Sequence, residues 1–436
     1  MLSQENSERM CKTGPATGMG LAFRRYWLPA LQSSQVAMPD GDPVHVELLG
    51  EHFVAFRDTK GKVGILDENC CHRGASLLLG RVESGGIRCI YHGWKFAVDG
   101  TVLETPNVPN PSFKAHIRAN AYPVREAGGL IWVYLGPADV VPDFPEWPWL
   151  NAPLAHRINT RHVHSCNYVQ VLEGLVDSSH LGILHFNGVR ASQNSELTFA
   201  SKVGKLQADL APRIEVEDTE FGFHYAAIRA IDTEDEQRSH LRITAFVCPF
   251  TVLNPNGDVV TMVVPRNDES AYFYHLFWDL KRTIGEEPLR SEQLAFIGLD
   301  STTADGYKIT DETHFLEGQP SRNNKFLQNR DAIRSGVSFS GLPGLIEEDV
   351  AVSVSAGATR DRSKESLSIA DVAIGRLYRV LLRCERLVRE GSLPIGVGID
   401  AAEVIGTSGE LAGKRHWRSL VPGHRPAHFE DQRGQV

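Results

Sequence analysis

The chain has 436 residues, 42 % of them hydrophobic and 23 % charged, with a formal net charge of −9. This is the balance of an ordinary globular protein with room for two or three domains, and its acidity argues against a nucleic-acid or anionic-membrane partner. The opening stretch MLSQENSERMCKTGPATG has no apolar core, so no signal peptide is expected. Runs such as LIWVYLG (130–136) are far too short to span a bilayer.

Residues 1–24 read as a polar N-terminal extension with a loop signal at Thr13-Gly14-Pro15. From 25 to 140, short runs rich in β-branched and aromatic residues alternate with turns: VHVELLG, EHFVAFRD, KVGILDE, IRCIYHGWKF and GLIWVYLG. They predict a small antiparallel β domain, with Asp99-Gly100 as a hairpin turn. Inside it stand Cys70-x-His72 and, after sixteen intervening residues, Cys89-x-x-His92. Two thiolates and two imidazoles at this spacing can hold a [2Fe–2S] cluster of the Rieske kind, one iron taking both sulfurs and the other both nitrogens. A zinc ion competes for the same donors, but zinc sites usually draw their Cys and His as pairs of like residues. Here each half supplies one of each. With Cys70 and Cys89 assigned to iron, Cys11, Cys71, Cys166, Cys248 and Cys384 remain. They are scattered and odd in number, which fits a reducing cytoplasm better than a disulfide framework.

Residues 137–150 carry four prolines, and the interdomain linker is placed at 141–150. The second domain, 151–436, contains long β-type runs (RIEVEDTEFGFHYAAIRA, HLRITAFVCPFTVL, VVTMVVPR, SAYFYHLFWDL) that predict several antiparallel strands with turns such as Asn256-Gly257. Near its end, Ile374, Leu377, Tyr378, Leu381, Cys384 and Val388 recur at helical spacing, and Gly391 stops the run. Ahead of these strands lies Glu173-Gly174-x-x-Asp177-x-x-His180-x-x-x-x-His185. Two His and one carboxylate can hold a non-heme Fe(II) with positions open for dioxygen and substrate. A five-residue step turns an ideal helix by about 500°, leaving the two imidazoles about 140° apart. A helix end or π-bulge is therefore expected between them, made cheap by Gly182.

Both motifs resemble those of the Rieske non-heme iron ring-hydroxylating oxygenases, in the order of their oxygenase (alpha) subunits. His-Arg-Gly after the first half and Tyr91-His92-Gly93-Trp94 in the second extend the likeness; Cys71 departs from it, standing where the family usually has Pro. RRYWLPAL (24–31), NNKFLQNR (323–330) and the segment from Asp349 through Gly357 to Asp361-Arg362-Ser363 are similar to the phthalate 4,5-dioxygenase-like subgroup. The resemblance implies an α+β protein: an all-β Rieske domain, then a helix-grip (START-like) antiparallel-sheet catalytic domain with a long C-terminal helix. It implies that Cys70, His72, Cys89 and His92 hold the cluster and that His180, His185 and Asp349 hold Fe(II), with Glu347 and Glu348 as fallback third ligands. Asp177 would bridge His180 to His92 of a neighbouring subunit, since within one chain of this family the two centres are too far apart for fast transfer. Asn167 and Glu173 are companions of the motif. The family works as a homotrimer or a stacked pair of trimers. It takes electrons from NADH through a separate flavin and [2Fe–2S] reductase, with dioxygen as co-substrate. No GxGxxG fingerprint follows a strand here, in agreement with nucleotide binding elsewhere. The expected reaction is cis-dihydroxylation of a phthalate- or benzoate-like aromatic carboxylate, with O- or N-demethylation as the alternative. A Rieske electron-transfer protein would need only the first 140 or so residues. For a carboxylate substrate, Arg242 is the first candidate contact. Arg213, Arg229 and, as a polar contact, Ser178 follow it.

Overall fold

A computed structural model describes residues 2–188, 210–231, 238–255, 258–300, 320–413 and 415–421; the expected Asn256-Gly257 turn lies outside them. The chain divides into two compact units, Thr13–Phe144 and Met1–Lys12 with Pro145–Val436. The segment 1–24 is thus shared between them. The helix Gln4–Cys11 belongs to the second unit because Arg9 pairs with the buried Glu385 and the Tyr168 hydroxyl donates to the Met10 carbonyl at 2.8 Å. Partners more than 150 residues away gave the sequence no local sign of this.

The first unit holds ten strands: β1 (Trp27–Gln32), β2 (Val44–Leu48), β3 (Glu51–Arg57), β4 (Val63–Asp67), β5 (Arg81–Glu83), β6 (Gly86–Arg88), β7 (Lys95–Phe96), β8 (Val102–Glu104), β9 (Val124–Ala127) and β10 (Leu130–Tyr134). They form antiparallel sheets ordered β1-β10-β9, β2-β3-β4 and β5-β6-β7-β8. The run IRCIYHGWKF is not one strand. It leaves β6 at Arg88, makes the loop Cys89–Trp94 and resumes as β7. Gly100, at φ +83°, turns β7 into β8 as Asp99-Gly100 predicted, since a left-handed residue there costs least as glycine. Val54, Phe56, Leu66, Ile87 and Phe96 pack with Cys70 and Cys89 in one apolar core. Each such side chain stabilises by about 1.5–3 kcal/mol when fully buried.

In the second unit β11 (Arg157–His164), β12 (Arg213–Thr219), β13 (Gly222–Ala230), β14 (Arg238–Val247), β15 (Thr251–Leu253), β16 (Val259–Asn267), β17 (Ser270–Trp278) and β18 (Thr407–Ala412) build one antiparallel sheet. Its order is β11-β17-β16-β15-β14-β13-β12, with β18 also paired to β14. The side-chain period of two decides what each face does. On β14, Leu241 and Ile243 pack with Leu411, Trp417 and Val421, while Arg242 and Thr244 face the opposite way into a cavity. The helix Val372–Arg389 lies on β12 and β13, burying Ile374, Leu377, Tyr378, Leu381 and Cys384, and Gly391 ends it at φ +79°. Among the described residues no helix is long and apolar enough to cross a membrane.

Candidate metal centres

The two halves of the Cys/His motif fold into matching loops. The Cys70 N–H donates to the Ala75 carbonyl (2.9 Å) and Gly74 N–H to the Cys70 carbonyl (2.8 Å). In the second loop Cys89 N–H donates to Trp94 (2.9 Å) and Gly93 N–H to Cys89 (3.0 Å). Gly74 and Gly93 both sit at positive φ (+73° and +75°), where a Cβ would strain the turn. Cys70 and Cys89 lie side by side and buried, 3 % and 2 % exposed, and burial followed by the neighbouring Cys89 pushes the Cys70 thiol up to about 11. Cys71 is exposed, which separates it from this pair.

His72 and His92 lie with ring centroids 4.6 Å apart, and His72 stacks on Trp94 at 4.3 Å. The buried Nδ1 of His92 has no hydrogen-bond partner. A buried ring nitrogen left so costs stability unless something binds it, as an iron would. A single zinc ion would need its donors about 3.3–3.8 Å apart, given bonds of 2.0–2.3 Å. Among the described residues only two other groups bring three possible ligand atoms within 4.8 Å of one another. The four Cys/His residues are not such a group; a sulfur pair and a nitrogen pair held apart suit a two-iron cluster.

One of the two convergent groups is His180, His185 and Asp349. The helix Tyr168–Leu175 starts at Asn167, whose side chain accepts from Val169 N–H at 3.1 Å. Beyond its end a 3-10 turn, His180–Gly182, and a tight bend follow, so that the His180 and His185 rings meet at 5.2 Å and 73°. The expected break is therefore present as a 3-10 turn, and Gly182 takes no left-handed φ in it. Asp349 comes from the helix Leu345–Ser355. Its Oδ1 is 3.2 Å from His185 Nε2 and 3.8 Å from His180 Nε2. Burial pushes the Asp349 carboxyl up, yet the His185 and His180 imidazoles hold it below its ordinary value. Glu348 stands behind His185 and accepts from its Nδ1 at 2.7 Å while also accepting from Ser340. That hydrogen bond fixes the ring and frees Nε2. Glu347 is turned toward Gly298 and Gly344, and burial pushes its carboxyl up to about 8. Neither fallback acid belongs to the convergent group.

Asp177 accepts from the Ser179 N–H (2.7 Å) and hydroxyl (2.6 Å) with one oxygen and lies 3.4 Å from His180 Nδ1 with the other. The companions of the motif are structural. Asn167 also donates to the Cys11 and Asp268 carbonyls. The buried Glu173 accepts from Arg362 (2.6 Å), Tyr378 (2.7 Å) and Arg360, so Asp361-Arg362-Ser363 anchors the fold through its arginine. Gln170, which no motif marked, ties the two site helices together. It donates to the Ser353 and Gly357 carbonyls (2.9 and 3.0 Å) and accepts from Arg360 N–H (2.7 Å).

A cavity of about 1050 Å³ of empty space, part of it open to solvent, spans the sheet face and these helices; Asp177, His180, His185 and Asp349 line it. Arg242 and Ser178 line it too, 4 % and 3 % exposed. Burial, then Arg229, lowers the Arg242 guanidinium to about 10. Arg229 donates to the Ser178 carbonyl at 2.9 Å, and Arg213 sits on β12 paired with Glu215. Three imidazoles missed by the sequence reading, His162, His164 and His275, complete the wall. The alternation His162-x-His164 on β11 was the signal available. Burial keeps all three neutral, His164 and His275 lowered to about 4.

Residues 26–123 match the Rieske [2Fe-2S] domain family and residues 133–429 the family described as LigXa C-terminal domain like. The chain is 36 % identical to the phthalate 4,5-dioxygenase oxygenase subunit of Pseudomonas putida, over 91 % of this chain and 89 % of that protein. It is 35 % identical to the 3-chlorobenzoate-3,4-dioxygenase oxygenase subunit of Comamonas testosteroni (91 % and 92 % covered). Identity to the 5,5'-dehydrodivanillate O-demethylase oxygenase subunit of a Sphingobium strain is 28 % (92 % and 85 % covered). The solved structure of dicamba monooxygenase bound to dicamba shares the fold, with a TM-score of 0.55 at 18 % identity over 84 % of this chain and 98 % of that one. With both donor sets in place and relatives matched along nearly their whole length, the chain belongs to the Rieske non-heme iron oxygenases, as an oxygenase subunit of the phthalate 4,5-dioxygenase-like subgroup.

Proposed function

We propose that this oxygenase component takes electrons from NADH through a separate flavin and [2Fe–2S] reductase and cis-dihydroxylates a phthalate- or benzoate-like aromatic carboxylate. The observation that carries the substrate class is Arg242, a buried guanidinium in the wall of the cavity that also holds His180, His185 and Asp349. A planar guanidinium in that wall suits a carboxylate bidentately.

In this reading Cys70, His72, Cys89 and His92 hold the cluster, and His180, His185 and Asp349 hold the mononuclear iron. Bound there, the two groups supply electrons and the activation of dioxygen beside the substrate. Arg242 fixes the carboxylate end of the ring. Arg229 holds Ser178, and with it the segment carrying Asp177 and His180. Glu348 keeps the Nδ1 proton of His185 in place so that Nε2 faces the metal. The neutral imidazoles of His162, His164 and His275 offer a wall that hydrogen-bonds the substrate without adding charge. Asp177 links His180 to His92 of a second copy of the chain, which makes a homotrimer, or a stacked pair of trimers, the working unit.

The demethylase relative supports O- or N-demethylation as the second reading. A panel of aromatic acids, assayed with a surrogate reductase and scored by product mass, separates the two. Gain of two oxygens and two hydrogens is the expected result; loss of a methyl group with formaldehyde release would replace it with the second reading. In the same assay Arg242→Gln raises KM for the preferred acid by about 10–100-fold, the loss of a charge-assisted pair of about 1.5–3 kcal/mol. An unchanged KM would remove Arg242 from substrate binding.

A further inference from the structure

The second convergent donor group lies in the first unit, outside both centres just described: His45, His52 and Glu68. His45 on β2 pairs in register with Val54, and His52 on β3 with Glu47, so the two imidazoles are diagonal neighbours on one face of the sheet. Glu68 follows β4 directly, and its N–H donates to the His52 carbonyl at 3.1 Å. Two adjacent strands and the residue that follows a third therefore bring one donor each to the same spot. His45 Nε2 is 3.0 Å from His52 Nδ1 and 3.5 Å from Glu68 Oε2. Those are near the donor–donor edges of about 3.3–3.6 Å that a tetrahedral ion with bonds of about 2.0–2.2 Å requires. The other carboxylate oxygen, Oε1, accepts from the Ser76 hydroxyl at 2.6 Å, which leaves Oε2 aimed at the imidazole pair.

We propose that His45, His52 and Glu68 form a further metal site, taking a divalent transition-metal ion of the zinc type. Two imidazoles and a carboxylate are the donors such an ion prefers, and the exposed edge at His52 leaves a coordination position for water. β2 and β3 hold the two imidazoles more firmly than loops would. The site also has a structural consequence. Glu68 stands two residues before Cys70, and the Leu77 N–H donates to its carbonyl at 2.8 Å. An ion here clamps the β2–β3 hairpin to the root of the loop that carries Cys70 and His72.

The test is anaerobic equilibrium dialysis of the full-length, iron-loaded protein against zinc chloride, wild type beside His52→Ala. The wild type is expected to retain about one zinc per chain more than the variant, with the visible spectrum of the cluster the same in both. Zinc is also expected to raise the thermal midpoint of the wild type and leave that of His52→Ala unmoved. Displacement of iron from the mononuclear centre would be equal in the two proteins and cancels in the difference. Equal zinc retention by both, or none in either, would overturn the proposal.

Discussion

Asp349→Ala is expected to reduce the iron content from about three per chain to about two and to lower turnover by more than about 100-fold, while the visible spectrum of the cluster stays intact. The expectation follows from the geometry around one oxygen. Asp349 Oδ1 lies 3.2 Å from one imidazole nitrogen and 3.8 Å from the other, on a helix that Gln170 ties to the helix leading into His180. Removing it leaves two imidazole nitrogens and no carboxylate for Fe(II). Glu348 cannot swing in as a substitute without releasing His185 and Ser340, which both donate to it. Iron analysis with absorbance at the cluster bands reads both outcomes on one sample. If Asp349→Ala keeps its third iron and Glu348→Ala loses it, the ligand role passes to Glu348.

What could be read in advance follows from how local each feature is. Cys70 to His92 and Asp177 to His185 were legible because a metal imposes its spacing on donors that the chain brings together within a few turns. Asp349 is 164 positions beyond His185, so no spacing rule reaches it, and only resemblance to a known subgroup chose it among 54 acids. Many strands of both units were legible from their β-branched and aromatic runs, but β11 and β18 were not, and IRCIYHGWKF is interrupted by the Cys89–Trp94 loop. The division of the N-terminal segment was not, because the Arg9–Glu385 pair spans 376 positions. The same limit applied to Glu173, whose role rests on Arg362 and Tyr378. It applied to the arginines too: burial in a cavity wall distinguishes Arg242 from Arg213, and a strand pattern shows only which residues share a face.

Asp177→Asn is expected to leave both iron sites filled and to slow turnover by about 10–100-fold or more, the scale on which partners of metal ligands act. Asparagine keeps the shape of the side chain. Its amide oxygen can still accept from Ser179, so the turn after the helix Tyr168–Leu175 survives. The second oxygen becomes an NH₂, which donates, and it then faces a His180 Nδ1 that donates as well. The negative charge is lost with it. If Asp177 only shaped the turn, this near-isosteric change would cost little. If it is the proposed link between His180 and His92 of a second copy of the chain, the break falls on electron delivery. Single-turnover kinetics separate the two cases. With the cluster reduced beforehand and substrate bound, mixing with dioxygen should recolour the cluster at the wild-type rate in the first case. In the second, reoxidation lags by the same factor as turnover. Normal turnover in a variant with both sites filled would sink the bridging role and, with it, the main reason for requiring a ring of subunits.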